Sequence, residues 1–426
     1  MKKILFFVFA ILLAITTSGC SATDGSSGNT GGKSEDTVTL TIFNNKVEIA
    51  EQLNQLKKEY EASHPKVKLQ ITTVGGSGDY SAALKARFAA SEVPDIFVNK
   101  GNEEARLWKD KLLDMSDEPW VEHLLPSTRE AMTVEGNLLG MPVGIEGYGY
   151  IYNKDLFEKA GIKKLPTTLS ELEETAKTLE KHDITAFSNG YQEYWILGNH
   201  LMNVALAKQD DPSQFITDWK EGKATAKGNP IFEDWVNLID LTVKYGQKNP
   251  LTTDYNTQVQ MFANGETAML QQGNWSEVML DKLNPDMNIG FLPMPINNDP
   301  KLNDNIFVGV PMYWVVHKES PHAEEAKEFL NWLVSKDIGK QYIVKEFKFI
   351  PAFDNIPFEE SDLGQLASST QDYVQKDKTL GWYFNDTPVG ANKEFASSIQ
   401  RYISGDINKD ELLTQLDKTV QNLAQK

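Results

Sequence analysis

At 426 residues the chain exceeds one ordinary hydrophobic core and calls for roughly two or three domains. A hydrophobic content of 40% with 10% aromatics excludes wholesale disorder. A net charge of −18 repels a phosphate backbone, so nucleic acid is not an expected partner, and the acidity suits solubility in a salty exterior.

Residues 1–20 carry Lys2 and Lys3, an apolar run over 4–15 and then small residues. That is the three-part pattern of an export signal, too short for a comfortable membrane span. The one cysteine, Cys20, directly follows Ser18 and Gly19 and resembles a bacterial lipobox, with Thr17 standing where that pattern prefers Leu. The resemblance implies that Cys20 is lipidated, becomes the mature N-terminus and anchors the protein to the outer face of the cell membrane. The alternative is a soluble secreted protein with an incidental cysteine. Residues 21–36 are small, polar and glycine-rich, which reads as a flexible tether.

From residue 37 the pattern alternates. Strands are predicted over 37–43, 67–74 and 94–98, with helices over 47–63, 80–91 and after 102. Such βαβαβα alternation predicts a parallel sheet covered on both faces. Ligands of these sheets lie beyond the carboxyl ends of the strands. Those ends are Asn44-Asn45, Gly75 to Asp79, and Asn99 to Asn102, all small and polar. The glycine run lacks the GxxxxGK[ST] pattern of a phosphate loop.

Residues 140–162 form the stretch around which the chain is organised. Val143, Ile145, Tyr148, Tyr150 and Tyr152 suit a strand, while Gly144, Gly147 and Gly149 mark a bend or a close backbone approach. A bendable strand here predicts a crossing between two lobes; one glycine-rich strand within a single sheet is the plainer alternative. A helix over 168–181 and a strand over 184–187 open a second α/β unit. Tyr194 and Trp195 cluster before a helix over 196–208, and Trp219, Phe232 and Trp235 have core-like spacing.

A buried strand over 267–270 is predicted to deliver Gln271, Gln272, Asn274 and Trp275 to a strand-to-helix corner. Amides beside an indole suit sugars, whose hydroxyls need planar partners and whose C–H faces pack on rings. Further strands are predicted over 287–291 and 315–317, helices over 321–334 and 338–345, and a mostly helical tail. Trp382 and Tyr383 interrupt that tail as candidate stacking surfaces, with loop anchoring as the alternative.

The ordered set HPKVKLQITT, LKARFAASEVPDIF, GYGYIYNKDLFEKAGI, FANGETAMLQQGNW, NIGFLPMP and EEAKEFLNWLVSKDIGKQYI resembles the bacterial extracellular solute-binding proteins of carbohydrate ABC importers. Within them it is similar to the maltose-binding cluster, and there to binders of multiple sugars and raffinose-type oligosaccharides. The resemblance implies an α/β, two-lobed, periplasmic-binding-protein-like fold, each lobe a mostly parallel sheet flanked by helices, joined by hinge strands. It places 37–145 plus 306–350 in the N-terminal lobe and 148–304 plus 351–426 in the C-terminal lobe. It implies a sugar site made by Asn44, Asp79, Asn99 and Asn102 from one side. From the other side would come Glu146, Tyr148, Tyr194, Trp195, Gln272, Asn274, Trp275 and Trp382. Many relatives carry a tryptophan soon after the first strand, where this chain has Asn44-Asn45. The implied protein is a monomer that takes no cofactor or metal and hands a carbohydrate to the permease subunits of an ABC importer.

Two other classes compete with this reading. A glycosidase needs two carboxylates facing each other across a bond, and no motif sets such a pair. The six histidines show no metal-ligand spacing and no GxSxG elbow is present, so the chain is not expected to be an enzyme. A binder of another solute, such as peptide, is disfavoured only by the mixture of aromatics and amides.

Overall fold

The computed structural model describes residues 37–425 except Ser77. The export signal, the tether and Cys20 lie outside the described residues. Among the described residues no helix is long and apolar enough to cross a membrane.

Two sheets divide the body. The first runs in the order Val67–Thr73, Val38–Asn44, Ile96–Asn99, Tyr313–Val316, Met141–Pro142. Its first three strands are parallel and are linked by the helices Ala50–Ser63 and Tyr80–Ala89, as the alternation predicts. The second runs Thr379–Leu380, Ile306–Gly309, Glu146–Asn153, Thr267–Gly273, Thr185–Ser188, with Ile289–Leu292 also paired to Glu146–Asn153. Pairing becomes antiparallel at Tyr313–Val316 and on both sides of Glu146–Asn153. The physical reason lies in how strands arrive. A parallel neighbour needs a long crossover connection within its own sheet, whereas a strand arriving from the other sheet can enter from the opposite end.

Each sheet carries its own hydrophobic core. Leu40, Phe97, Trp120 and Leu330 belong to the first, and Tyr150, Phe187, Trp235 and Leu270 to the second. Trp219, Phe232 and Trp235 are fully buried in the second core. The chain passes between sheets from Met141–Pro142 into Glu146–Asn153 and from Ile306–Gly309 into Tyr313–Val316. It passes a third time beyond the bridge of Ile145 to Ile350. These crossings correct the expected boundaries in two places. Ile306–Gly309 pairs in the second sheet, and Phe353, Ile356 and Leu363 pack in the first core. Crossing segments are strands or tight turns, so no break in composition marks them.

The helix Gln365–Gln375 spans the junction: Leu366 packs in the second core and Ala367 in the first. Its first N–H groups, of Gln365 and Leu366, donate to the Glu277 carboxylate at 2.8 and 2.7 Å. Its side chains also accept from the outer edge of Ile289–Leu292, Gln365 Oε1 from Ile289 N and Ser369 Oγ from Phe291 N, both at 3.0 Å. An edge covered in this way cannot recruit another strand. Glycine at 147 is needed for this packing, because a Cβ there would lie 2.5 Å from Thr370 Cγ2. The close backbone approach anticipated for the crossing strand is therefore an approach of this helix.

Candidate functional site

A cavity of about 140 Å³ lies where the crossing strand meets the carboxyl ends of the first sheet. Aromatic side chains of the second lobe line one side: Tyr194, Trp195, Tyr255, Trp275, Trp382 and Phe384. The other side carries the charged and amide groups, Asn45, Lys46, Glu48 and Lys100, with Gly75, Gly76, Val47, Tyr80, Pro311 and Met312 among them. Glu146, the first residue of the crossing strand, lies between them.

The aromatic wall is held from behind by hydrogen bonds. Trp275 Nε1 donates to Gln272 Oε1 at 2.8 Å, Gln272 Nε2 to Gln258 Oε1 at 2.9 Å, and Gln258 Nε2 to Ser188 O at 2.7 Å. Asn274 Oδ1 accepts from Gly147 N at 3.0 Å, tying the corner to the crossing strand. Trp195 packs edge-on to Tyr255 at 5.4 Å and to His200 at 5.5 Å. It begins a π-helical stretch, Ile196–Leu201, that precedes the helix Met202–Ala207. Wide turns of this kind recur at functional sites. Here the His200 carbonyl accepts from Tyr148 OH at 3.0 Å, and the two rings stack at 4.6 Å.

Trp382 sits on a loop pinned by Asn203. Asn203 Nδ2 donates to Gly381 O at 3.0 Å, and Asn203 Oδ1 accepts from Tyr383 N at 2.7 Å. Its indole lies flat against Gly309, where a Cβ would fall 2.7 Å from Trp382 Cγ. Any larger residue at 309 would have to displace the ring. Trp382 Nε1 and Asn45 Oδ1 are buried with no hydrogen-bond partner among the described residues.

The polar wall is electrostatic. Lys46 Nζ is 3.0 Å from Glu48 Oε1 and also pairs closely with Glu146 Oε1. Side-chain exposures of 5%, 9% and 4% for Lys46, Glu48 and Glu146 make this a buried triad. Burial opposes the Lys46 charge, but Glu146 and Glu48 outweigh it and hold the ammonium above the usual lysine range. Burial pushes the Glu146 carboxyl up, with Lys46 pulling against it. Burial, helped by the charge on Lys46, lowers His200 to about 3, so its imidazole is neutral at ordinary pH.

Of the residues expected at the site, Glu146, Tyr194, Trp195, Trp275 and Trp382 line the cavity. The others stand outside its lining, each for a physical reason. Asn44 shapes the loop after the first strand, its Nδ2 donating to Lys46 O at 3.0 Å. Asp79 caps Tyr80–Ala89 through Ala82 N at 3.0 Å and pairs with Lys393. Asn99 Oδ1 accepts from Gly101 N at 2.8 Å. Asn102 takes the positive φ of 51° that begins Glu103–Trp108. Tyr148 is fully buried behind His200. Gln272 is spent on the relay above, and Asn274 Oδ1 on Gly147 N. The strand runs to Gly273 rather than ending at 270, which places Gln271 and Gln272 inside the sheet. Lys46, Glu48, Asn199, His200, Tyr255 and Phe384 line the cavity without having been anticipated. Only the last three carry a ring that could have flagged them. Among the described residues no group of His, Cys, Asp and Glu could hold a metal ion.

The model of the bacterial extracellular solute-binding proteins matches residues 45–340. The chain belongs to this family. The multiple sugar-binding protein of Streptococcus mutans is 23% identical over 349 residues, covering 80% of each chain. The melibiose/raffinose/stachyose-binding protein MelE of Bacillus subtilis is 24% identical over 349 residues, covering 79% of this chain and 78% of its own. Among solved structures, RafE in complex with raffinose superposes with a TM-score of 0.79 at 21% identity, over 91% of this chain and all of that one. This likeness shows the two-lobed fold of the family.

Proposed function

We propose that the protein is the capture subunit of a carbohydrate ABC importer. It grips an oligosaccharide between its lobes and presents it to the permease, with energy supplied by a separate ATPase. The observation that carries the reading is the cavity itself, with aromatic rings facing amides, carboxylates and lysines across a junction between two cores. Sugar rings need both surfaces at once. The names of relatives that bind melibiose, raffinose and stachyose support the same class of ligand.

Open and closed arrangements exchange about the crossing strands, and ligand favours the closed one because only then do both walls touch it. The lobes are 37–145 with the strand and helices after 310, and 148–304 with the helical tail. Glu146, Tyr194, Trp195, Trp275 and Trp382 contact the sugar. Cys20 carries the lipid anchor, so the protein works as a monomer at the outer face of the cell membrane, without catalysis. A thermal-shift screen against mono-, di- and oligosaccharides tests the reading, since a ligand of the folded state raises the melting point. No shift with any sugar, together with a shift for peptides, would overturn it.

A further inference from the structure

Two of the crossing segments run side by side. In the second sheet Val308 pairs with Gly147 and Gly309 with Glu146, antiparallel. In the first sheet Tyr313 pairs with Pro142 and Trp314 with Met141, also antiparallel. Between the two ladders Val143 N donates to Met312 O at 3.1 Å, and Pro311 has no N–H to give. Pro311 and Met312 line the cavity. Gly309 and Glu146 are therefore the last paired position of the second sheet before the chain leaves for the first, where a change of lobe angle would be absorbed.

A cavity-lining side chain from each lobe meets this position. Lys46 of the first lobe pairs with Glu146. Trp382 of the second is seated on Gly309. A Cβ there would fall 2.7 Å from Trp382 Cγ and 3.0 Å from both Cδ1 and Cδ2, so the five-membered ring lies face-on over the glycine. Tyr148, on the other crossing strand, packs against the same indole at 5.5 Å. The Trp382 backbone is fixed separately, because Asn203 holds Gly381 and Tyr383 on either side of it. With its loop pinned, the indole moves only if the strand beneath it moves or its own rotamer changes. Gly309 itself stands outside the cavity lining.

We infer that Gly309 is a positioning residue for capture: by seating Trp382 on the crossing strand, it couples the packing of a ligand on that ring to the angle between the lobes. It acts through Trp382 and does not touch the ligand. A side chain at 309 would part the ring from the strand, since a contact that short is relieved only by displacement. The inference rests on the carbohydrate reading for the ligand, while the contact of ring and strand stands apart from it.

Small-angle scattering and calorimetry on the full chain test it, with whichever of melibiose, raffinose and stachyose raises the melting point most. Gly309→Ala should change the radius of gyration of the free protein, reduce the contraction that sugar produces and weaken sugar binding at least tenfold. A glycine with only a structural role would lower the melting point and leave the free radius alone. Trp382→Ala, which keeps the glycine, should also change the free radius, because the strand loses its brace. In that background Gly309→Ala should have no further effect on the radius and change affinity by less than about twofold. The inference is overturned if both single variants keep the wild-type radius, or if the effects of Gly309→Ala persist without the Trp382 ring. Should no sugar bind the wild-type protein, the carbohydrate reading falls, and the free radii still decide the role of Gly309.

Discussion

On the second lobe, Trp275 is steered by an uncharged relay through Gln272 and Gln258 to the backbone of Ser188. On the first lobe, the facing surface is set by Lys46 held between Glu48 and Glu146. The relay lies wholly within one lobe. In the triad, Lys46 and Glu48 come from the first lobe, while Glu146 opens the strand that crosses to the second. One wall is therefore preorganised whatever the lobes do, whereas the other depends on how the crossing strand sits. Side-chain placement and lobe geometry are separable in the aromatic wall and coupled in the polar one.

The largest effect should come from breaking the coupled wall. Lys46→Met leaves two buried carboxylates without their cation and should cost about 3–5 kcal/mol of stability, as removing one partner of a buried pair does. Urea denaturation checks it. Adding Glu48→Gln and Glu146→Gln should restore much of the loss, and a triple variant no better than the single one would show that charge is not the cause. Next, Trp275→Ala should weaken sugar binding by about 1–3 kcal/mol, read by calorimetry. Gln272→Leu should weaken it less, because that side chain only aims the indole. Equal losses would mean that Gln272 meets the ligand.

His200 sharpens the comparison through pH. Its pKa is near 3 when folded against an ordinary 6.5, so the unfolded chain binds the extra proton between those values. The stability that this group contributes is full above 6.5 and is lost as pH falls through that window toward 3. Thermal melts should show an acid-side decline that His200→Gln flattens. The smallest effect belongs to the rim. Lys282 and Glu51 pair across the lobes at 2.9 Å with side chains 74% and 65% exposed, so Lys282→Ala should change stability by about 0.5 kcal/mol or less. That change should vanish in high salt.

Much of this was legible along the chain. The first three strands and their helices followed from alternation, since each connection is local. Tyr194, Trp195, Trp275 and Trp382 could be singled out because large rings near strand ends or outside helices have few structural uses. Lys46 could not: its partner Glu146 is 100 residues away, and one lysine after a strand has no local signature. Gln272 and Asn274 misled for a different reason. An amide that could hold a hydroxyl can equally hold an indole or a backbone N–H, and which one it meets depends on where the strand stops. Ending that strand three residues early turned inward-facing amides into apparent site residues.

The π-helical stretch Ile196–Leu201 has a consequence for how this surface can diversify. Such a turn accommodates one residue more than the regular helix it replaces. A single-codon deletion within it would relax the stretch to ordinary helix while keeping the hydrophobic composition. Everything on its N-terminal side would rotate by about 100° about the axis, carrying Trp195 away from its neighbours in one step. Members of a lineage could thus exchange one recognition surface for another by indel rather than by accumulated substitution.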